Sequence, residues 1–198
     1  MKMRKAVVKR NTRETQIELS VNLDGTGVYE IETGIPFFNH MLELFSRHSL
    51  INLKLKAAGD LDVDYHHLVE DVGLALGTAI DKALGERKGI RRYGSFYVPM
   101  DEALCRVVVD LGGRPYLVMN MACRKRKLME FELALFTDFF QAFIVQARMN
   151  LHIDQMRGAE AHHAYEAVFK ALARAMRTAC EADPRDSGIP SSKGRIGD

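Results

Sequence analysis

Four of the chain's seven histidines fall into two H-H-x-x-E units, "HHLVE" at 66–70 and "HHAYE" at 162–166. On an α-helix each residue advances by about 100°. Glu70 then projects between its two histidines, about 40° from His66 and about 60° from His67. The two imidazoles diverge by about 100°, so each is better placed to serve a different ion, with the glutamate assisting one of them. His162, His163 and Glu166 repeat the arrangement. Neither unit is the H-E-x-x-H of zinc proteases. A single unit of this kind is commonly a helix start with solvated histidines. Two of them at matching places in a repeat make metal binding the stronger reading.

Two further histidines can complete such sites: His40 in "FFNHML" and His152 in "NLHI". The tally is six histidines and two glutamates, or three imidazoles and one carboxylate for each of two ions. A six-coordinate ion would keep about two positions open for substrate, as catalysis needs and a structural site does not. Imidazole and carboxylate donors without thiolate suit Mn, Fe, Co, Ni or Zn, and the affinity order alone does not choose among them. His48 is left over and is read as the end of its helix.

The elements that must carry these residues show in the hydropathy pattern. "TQIELSVNL" at 15–23 alternates apolar and polar residues as a strand with one wet face does. "DGTG" turns the chain and "VYEIET" returns it, so 15–32 reads as a hairpin. A helix is predicted from Pro36, a strand over 51–59, and a longer helix from Tyr65 to about Leu84 with the first histidine unit at its start. The programme then begins again. "CRVVVDLGGRPYLVMNM" echoes "IELSVNLDGTGVYEIET" at an offset of 88, Asn150 answers Asn52 at 98, and the second histidine unit answers the first at 96. Drifting offsets are those of two copies whose loops differ in length. The fold class is α/β (α+β), a duplicated β-β-α-β-α module. Residues 1–92 form the first half, 93–184 the second, and 185–198 a polar tail.

Net charge is +2 over 198 residues, too small for a surface built to hold a polyanion. The basic "CRKRK" at 123–127 lacks interleaved aromatics and reads as a solvated loop, so no nucleic-acid partner is expected. Three cysteines without C-x-x-C spacing fit a reducing compartment. The N-terminus runs directly into a strand-like pattern and no apolar run reaches membrane-spanning length. These features point to a cytoplasmic protein without a membrane partner.

Eight stretches in order resemble the imidazoleglycerol-phosphate dehydratases: "RNTRET", "FFNHML", "HHLVEDVG", "VPMDEAL", "DLGGRPYLV", "NLHI", "HHAYEAVFKALARA" and "PSSKG". The resemblance covers nearly the whole chain. It implies two pseudo-symmetric halves similar to domain 2 of ribosomal protein S5. It implies a lyase of histidine biosynthesis that removes water from D-erythro-imidazoleglycerol phosphate to give imidazole acetol phosphate through a metal-bound imidazolate. Two manganese ions per subunit are implied, other divalent transition metals being chemically possible, with His40, His66, His67, Glu70, His152, His162, His163 and Glu166 as ligands. Catalytic work would fall to Glu14, as base on carbon, and to His40, His67, Glu70, His163 and Glu166. Arg92, Arg114, Ser191, Ser192 and Lys193 would hold the substrate phosphate, with the tail closing over it. Ligands from neighbouring subunits are implied in a homo-oligomer of twenty-four chains. Asn39, Leu44 and Leu68 depart from common family residues without removing a ligand. The nearest rival chemistry is a dinuclear metallohydrolase of small phosphate esters, although such sites draw on more carboxylates than occur here.

Overall fold

The computed structural model describes residues 3–196. The first half runs β1 (Lys5–Asn11), β2 (Thr15–Asn22), β3 (Tyr29–Glu32), α1 (Pro36–Ser49), β4 (Asn52–Gly59) and α2 (His66–Leu84). In β2 the alternation is realised as read: Ile17, Leu19 and Val21 are buried while Gln16 and Glu18 face outward.

The hairpin read over 15–32 is not formed. The sheet order is β1-β2-β4-β3, so β4 lies between the two strands expected to pair. Its side chains Leu53, Leu55 and Ala57 are buried and take the central place. β2 runs antiparallel to β4, and β3 runs parallel to it after the α1 crossover. The connection after β2 is too long for a tight turn and is pinned to β4 instead. Asn52 Oδ1 accepts from the Thr26 and Val28 N–H groups at 2.8 and 3.0 Å.

The second half runs β5 (Tyr93–Met100), β6 (Ala103–Asp110), β7 (Tyr116–Asn120), β8 (Lys127–Leu128), β9 (Phe131–Glu132), α3 (Leu135–Ala147), β10 (Asn150–Arg157) and α4 (Ala161–Cys180). Its main sheet has the matching order β5-β6-β10-β7, so 105–121 likewise forms no hairpin. Each half thus has the β-β-α-β-α order preceded by one more strand, β1 or β5. Among the described residues, the short β8-β9 ribbon has no counterpart in the first half.

Each sheet buries one face under its helices, and the helices of the two halves meet in the middle: α2 packs on α3 and α1 on α4. Phe38, Phe45, Phe136, Phe139, Phe140, Phe143 and Phe169 fill this layer. Phe45 of α1 reaches Phe143 of α3 with ring centroids 6.4 Å apart. Gly73 permits the close approach of α2 and α3, because a Cβ there would stand 2.6 Å from the Phe139 carbonyl oxygen. Buried Arg87 ties the layer's end by donating to the carbonyl oxygens of Leu111, Ala147 and Arg148 and pairing with Asp81. All three cysteines are free. Burial pushes the Cys105 and Cys180 thiols up to about 12, so neither offers a thiolate at neutral pH. No helix among the described residues is long and apolar enough to cross a membrane.

Candidate metal centre and active site

The packing of α1 on α4 brings together residues that are far apart in sequence. His40 on α1 and His162 on α4 each donate from Nε2 to Glu166 Oε1, both at 2.9 Å. These three ligand atoms lie within 4.8 Å of one another. Lys170, one helical turn on, donates to the other glutamate oxygen at 2.6 Å. Burial alone would raise the Glu166 carboxyl, but the hydrogen bonds from Lys170, His40 and His162 outweigh it and hold the group down at about 2. The carboxylate is therefore charged at neutral pH. Two imidazole nitrogens and one charged oxygen fit a divalent transition metal.

The other half builds a looser counterpart. His66 Nε2 stands 3.8 Å from Glu70 Oε2, and its Nδ1 is 3.7 Å from Asp138 of α3. Asp138 follows His40 by 98 residues, the offset that relates Asn150 to Asn52. Each cluster therefore combines the histidine and glutamate of one half with a side chain from the facing helix of the other.

The second histidine of each pair turns away, as the helical spacing predicts. The His66 and His67 rings cross at 73° and the His162 and His163 rings at 88°. His67 donates from Nδ1 to Asp60 at 3.0 Å, with Glu14 Oε2 at 3.9 Å. His163 donates from Nδ1 to Glu102 at 2.8 Å. Those hydrogen bonds to Asp60 and Glu102 raise both imidazole pKa values and fix the tautomer with Nε2 as the available ligand atom. His152 stands apart from both clusters, exposed on the outer face of its sheet and stacked on Tyr116 at 6.4 Å. Within one chain, neither set of three imidazoles and one glutamate closes.

The residues read as phosphate contacts do converge. Arg92, Arg114, Ser191, Ser192 and Lys193 line one cleft of about 270 Å³, together with Tyr93, Gly112, Arg195 and Ile196. Arg92 enters it from a left-handed backbone position (φ 69°) and is braced by Asp110, accepting from Nε at 2.7 Å and from Nη2 at 3.1 Å. Its Nη1 donates to the Pro190 carbonyl at 2.8 Å, which draws the polar tail against the cleft. The tail is held further by the Gly89 N–H on the Gly188 carbonyl, and it turns on itself through the Ser191 N–H on the Ile189 carbonyl.

Glu14 lies in the β1–β2 turn, where Thr12 Oγ1 accepts from the Glu14 and Thr15 N–H groups. The next residue, Thr15, donates to buried Asp71 of α2, which also pairs with Arg10 at 2.8 Å. The turn is thereby bound to the helix that carries His66, His67 and Glu70.

Several of these participants went unseen in the sequence: Asp60, Asp71, Glu102, Asp138 and Lys170. For two of them a signal existed. Glu102 follows Glu14 by 88 residues, the offset of the strand repeat, and Asp138 follows His40 by 98.

The sequence model of one protein family, imidazoleglycerol-phosphate dehydratase, matches residues 33–176. The chain is 54% identical to the imidazoleglycerol-phosphate dehydratase of Chromobacterium violaceum over 195 residues, which is 98% of this chain and 99% of that one. It is 53% identical to that of Hahella chejuensis over 197 residues, 99% of this chain and 100% of the relative. Among solved structures it resembles the dehydratase from Staphylococcus aureus, with TM-score 0.82 and 40% identity over 90% of this chain and 99% of that one. It also resembles the Pyrococcus furiosus protein, with TM-score 0.83 and 33% identity over 96% of this chain and all of the other.

Proposed function

The chain belongs to the imidazoleglycerol-phosphate dehydratase family, and from that premise we propose that it is a cytoplasmic hydro-lyase of histidine biosynthesis that turns D-erythro-imidazoleglycerol phosphate into imidazole acetol phosphate and water. The observation that carries the reading at residue level is the meeting of His40, His162 and Glu166 across the two halves. The proposed cofactor is two manganese ions per subunit, held by these three residues and by His66, His67, Glu70, His152 and His163. When bound, the ions supply Lewis-acid stabilisation of negative charge on the substrate's imidazole ring.

The chain's own residues do the rest. The hydrogen to be removed sits on a carbon without a neighbouring carbonyl, so a positioned base is needed. Glu14 is assigned this role. Its side chain is about half exposed, and among the described residues no hydrogen bond occupies its carboxylate. Asp60 and Glu102 hold His67 and His163 by their Nδ1 protons. Arg114, Ser191, Ser192 and Lys193 bind the phosphate beside Arg92, whose guanidinium also anchors the tail. We take residues 1–92 and 93–184 as the two halves, with the tail from 185 to 196 closing over bound phosphate; residues 1, 2, 197 and 198 of these spans lie outside the described residues. Because His152 faces outward and neither ligand set closes within one chain, we assign the missing ligands to neighbouring copies in a twenty-four-chain assembly. A phosphate-ester hydrolase would call for a carboxylate-rich pair of ions, and the imidazole-rich set here argues against one.

The test is turnover of imidazoleglycerol phosphate by metal-stripped protein, with and without added Mn²⁺, while bound ions are counted. Activity recovered near two ions per chain supports the proposal. Two tightly held ions without turnover would discard the assigned chemistry while keeping the metal geometry.

A further inference from the structure

The strand repeat places Glu14 and Glu102 at equivalent points, each immediately before the inner strand of its half, β2 or β6. Each also stands beside the second histidine of its half's pair. There the equivalence ends. Glu102 is fully engaged: one oxygen accepts from His163 Nδ1 at 2.8 Å and the other from the Glu160 N–H at 3.1 Å. Glu14 is held off its histidine, 3.9 Å from His67 Nδ1, because Asp60 already accepts that proton at 3.0 Å.

Asp60 directly follows β4 at the place where Gly158 directly follows β10, so the second half has no side chain to offer there. Fourteen positions separate Asn52 from His66, against twelve between Asn150 and His162. The shorter connection runs Gly158-Ala159-Glu160, and Glu160 caps α4 by accepting from the His162 N–H. The longer one sets Asp60 directly after β4, opposite the turn that carries Glu14. The Asp60 N–H donates to the Glu14 carbonyl at 3.2 Å, and the Asp60 carbonyl accepts from Val63 at 2.8 Å. Asp60 is therefore fixed by its backbone, and its side chain is 25% exposed against 54% for Glu14. A short, anchored carboxylate needs less ordering to take the imidazole proton than a longer exposed one.

We infer that Asp60 is a positioning residue that keeps Glu14 free for proton abstraction by occupying His67 Nδ1 in its place. Orienting a histidine and serving as base would otherwise fall on one carboxylate, as Glu102 shows in the half where Asp101 stands only on the Nε2 side of His163, at 3.7 Å, and no aspartate takes Nδ1. The inference rests on the proposed role of Glu14 as base. Without Asp60, Glu14 has to move by about the difference between the two separations to satisfy His67, and it then stands engaged as Glu102 does.

The experiment compares Asp60→Ala, Asp60→Asn, Glu102→Ala and Glu14→Gln in the manganese-loaded full chain. It reads kcat, KM, bound ions per chain, thermal midpoint and the primary deuterium isotope effect at the carbon that loses hydrogen. Asp60→Ala is expected to lower kcat on the order of tenfold to a hundredfold, with KM and metal content held and the isotope effect raised. Asp60→Asn, whose amide oxygen can still accept from Nδ1, is expected to recover most of that loss. Glu102→Ala is expected to lower metal occupancy without raising the isotope effect. Loss of activity in step with loss of metal in Asp60→Ala would overturn the inference, since Asp60 would then only orient a ligand. Should Asp60→Ala not fold, Asp60→Asn decides: an isotope effect and kcat far from wild type despite full metal occupancy would refute the positioning role. An active Glu14→Gln would sink the base assignment itself. An inactive Glu14→Gln beside a fully active Asp60→Ala would sink the present inference alone.

Discussion

Gly73→Ala should destabilise the protein although alanine is the better helix former. Gly73 lies inside α2 on the face that meets α3. The added methyl would stand 2.6 Å from the Phe139 carbonyl oxygen and 3.0 Å from Ala142 Cβ, where ordinary contact begins near 3.4 Å. Backbone carbonyls do not step aside as a flexible side chain can, so the helices must part by several tenths of an ångström. Over-packing of this kind costs about 1–3 kcal/mol, and the helix-propensity gain of Ala over Gly offsets at most about 1 kcal/mol. For the worse half of that range the net loss is about 1–2 kcal/mol, or roughly 2–8 °C in thermal midpoint for a chain of this size. Asp138 is the residue before Phe139, so the same displacement carries it away from His66 and should weaken the His66–Glu70 cluster more than the His40–His162–Glu166 one. Thermal unfolding of metal-stripped wild type and variant at equal protein concentration gives the first quantity, and metal titration gives the second. A midpoint raised by the variant would show that propensity dominates and that α2 and α3 are not locked at this point.

Two further outcomes are expected. Lys193→Ala should raise KM by roughly ten- to a hundredfold, the worth of one charge-assisted hydrogen bond to phosphate, while bound metal stays constant; unchanged kinetics would remove Lys193 from the phosphate site. Arg4 holds the Asp24 carboxyl below its ordinary 3.8, chiefly through their hydrogen bond, so this pair stabilises the fold fully above that value and loses its contribution as pH falls through the lower folded-state value. Asp24 is nearly half exposed, which limits the gain to at most about 1 kcal/mol. Asp24→Asn should accordingly be less stable than wild type in urea at pH 7 and converge with it toward pH 3; a gap that widens in acid would contradict the sign.

What the sequence made legible was whatever local period encodes. The alternation in 15–23 became β2, the apolar rows after Pro36 and His66 became α1 and α2, and the divergence of adjacent histidines appeared as different carboxylate partners for the two members of each pair. Strand partners were not legible, because Ile17 and Ile31 each carry the signature of a strand but neither names its neighbour. It took β4, reached through a helix, to come between them. The carboxylates that brace the site were hidden for a similar reason. Asp60 and Glu102 sit in turns where acidic residues are ordinary, and only the folded chain brings them to a histidine nitrogen. Lys170 reads as a solvated helix lysine until its one-turn partner Glu166 is found to be buried.

The interleaving of α1 on α4 and α2 on α3 also sets a timetable for the chain as it is made. When α2 leaves the ribosome, the partner faces for Phe38, Phe45 and Gly73 have not been synthesised, since α3 begins at Leu135 and α4 ends at Cys180. At about 5–20 residues per second, the wait from Leu84 to Cys180 lasts roughly 5–20 s. During it the nascent first half can form its sheet but cannot cover its helices. Its apolar layer is then a surface for chaperones to hold, and a cell short of them would meet it as an aggregation hazard that the finished protein no longer presents.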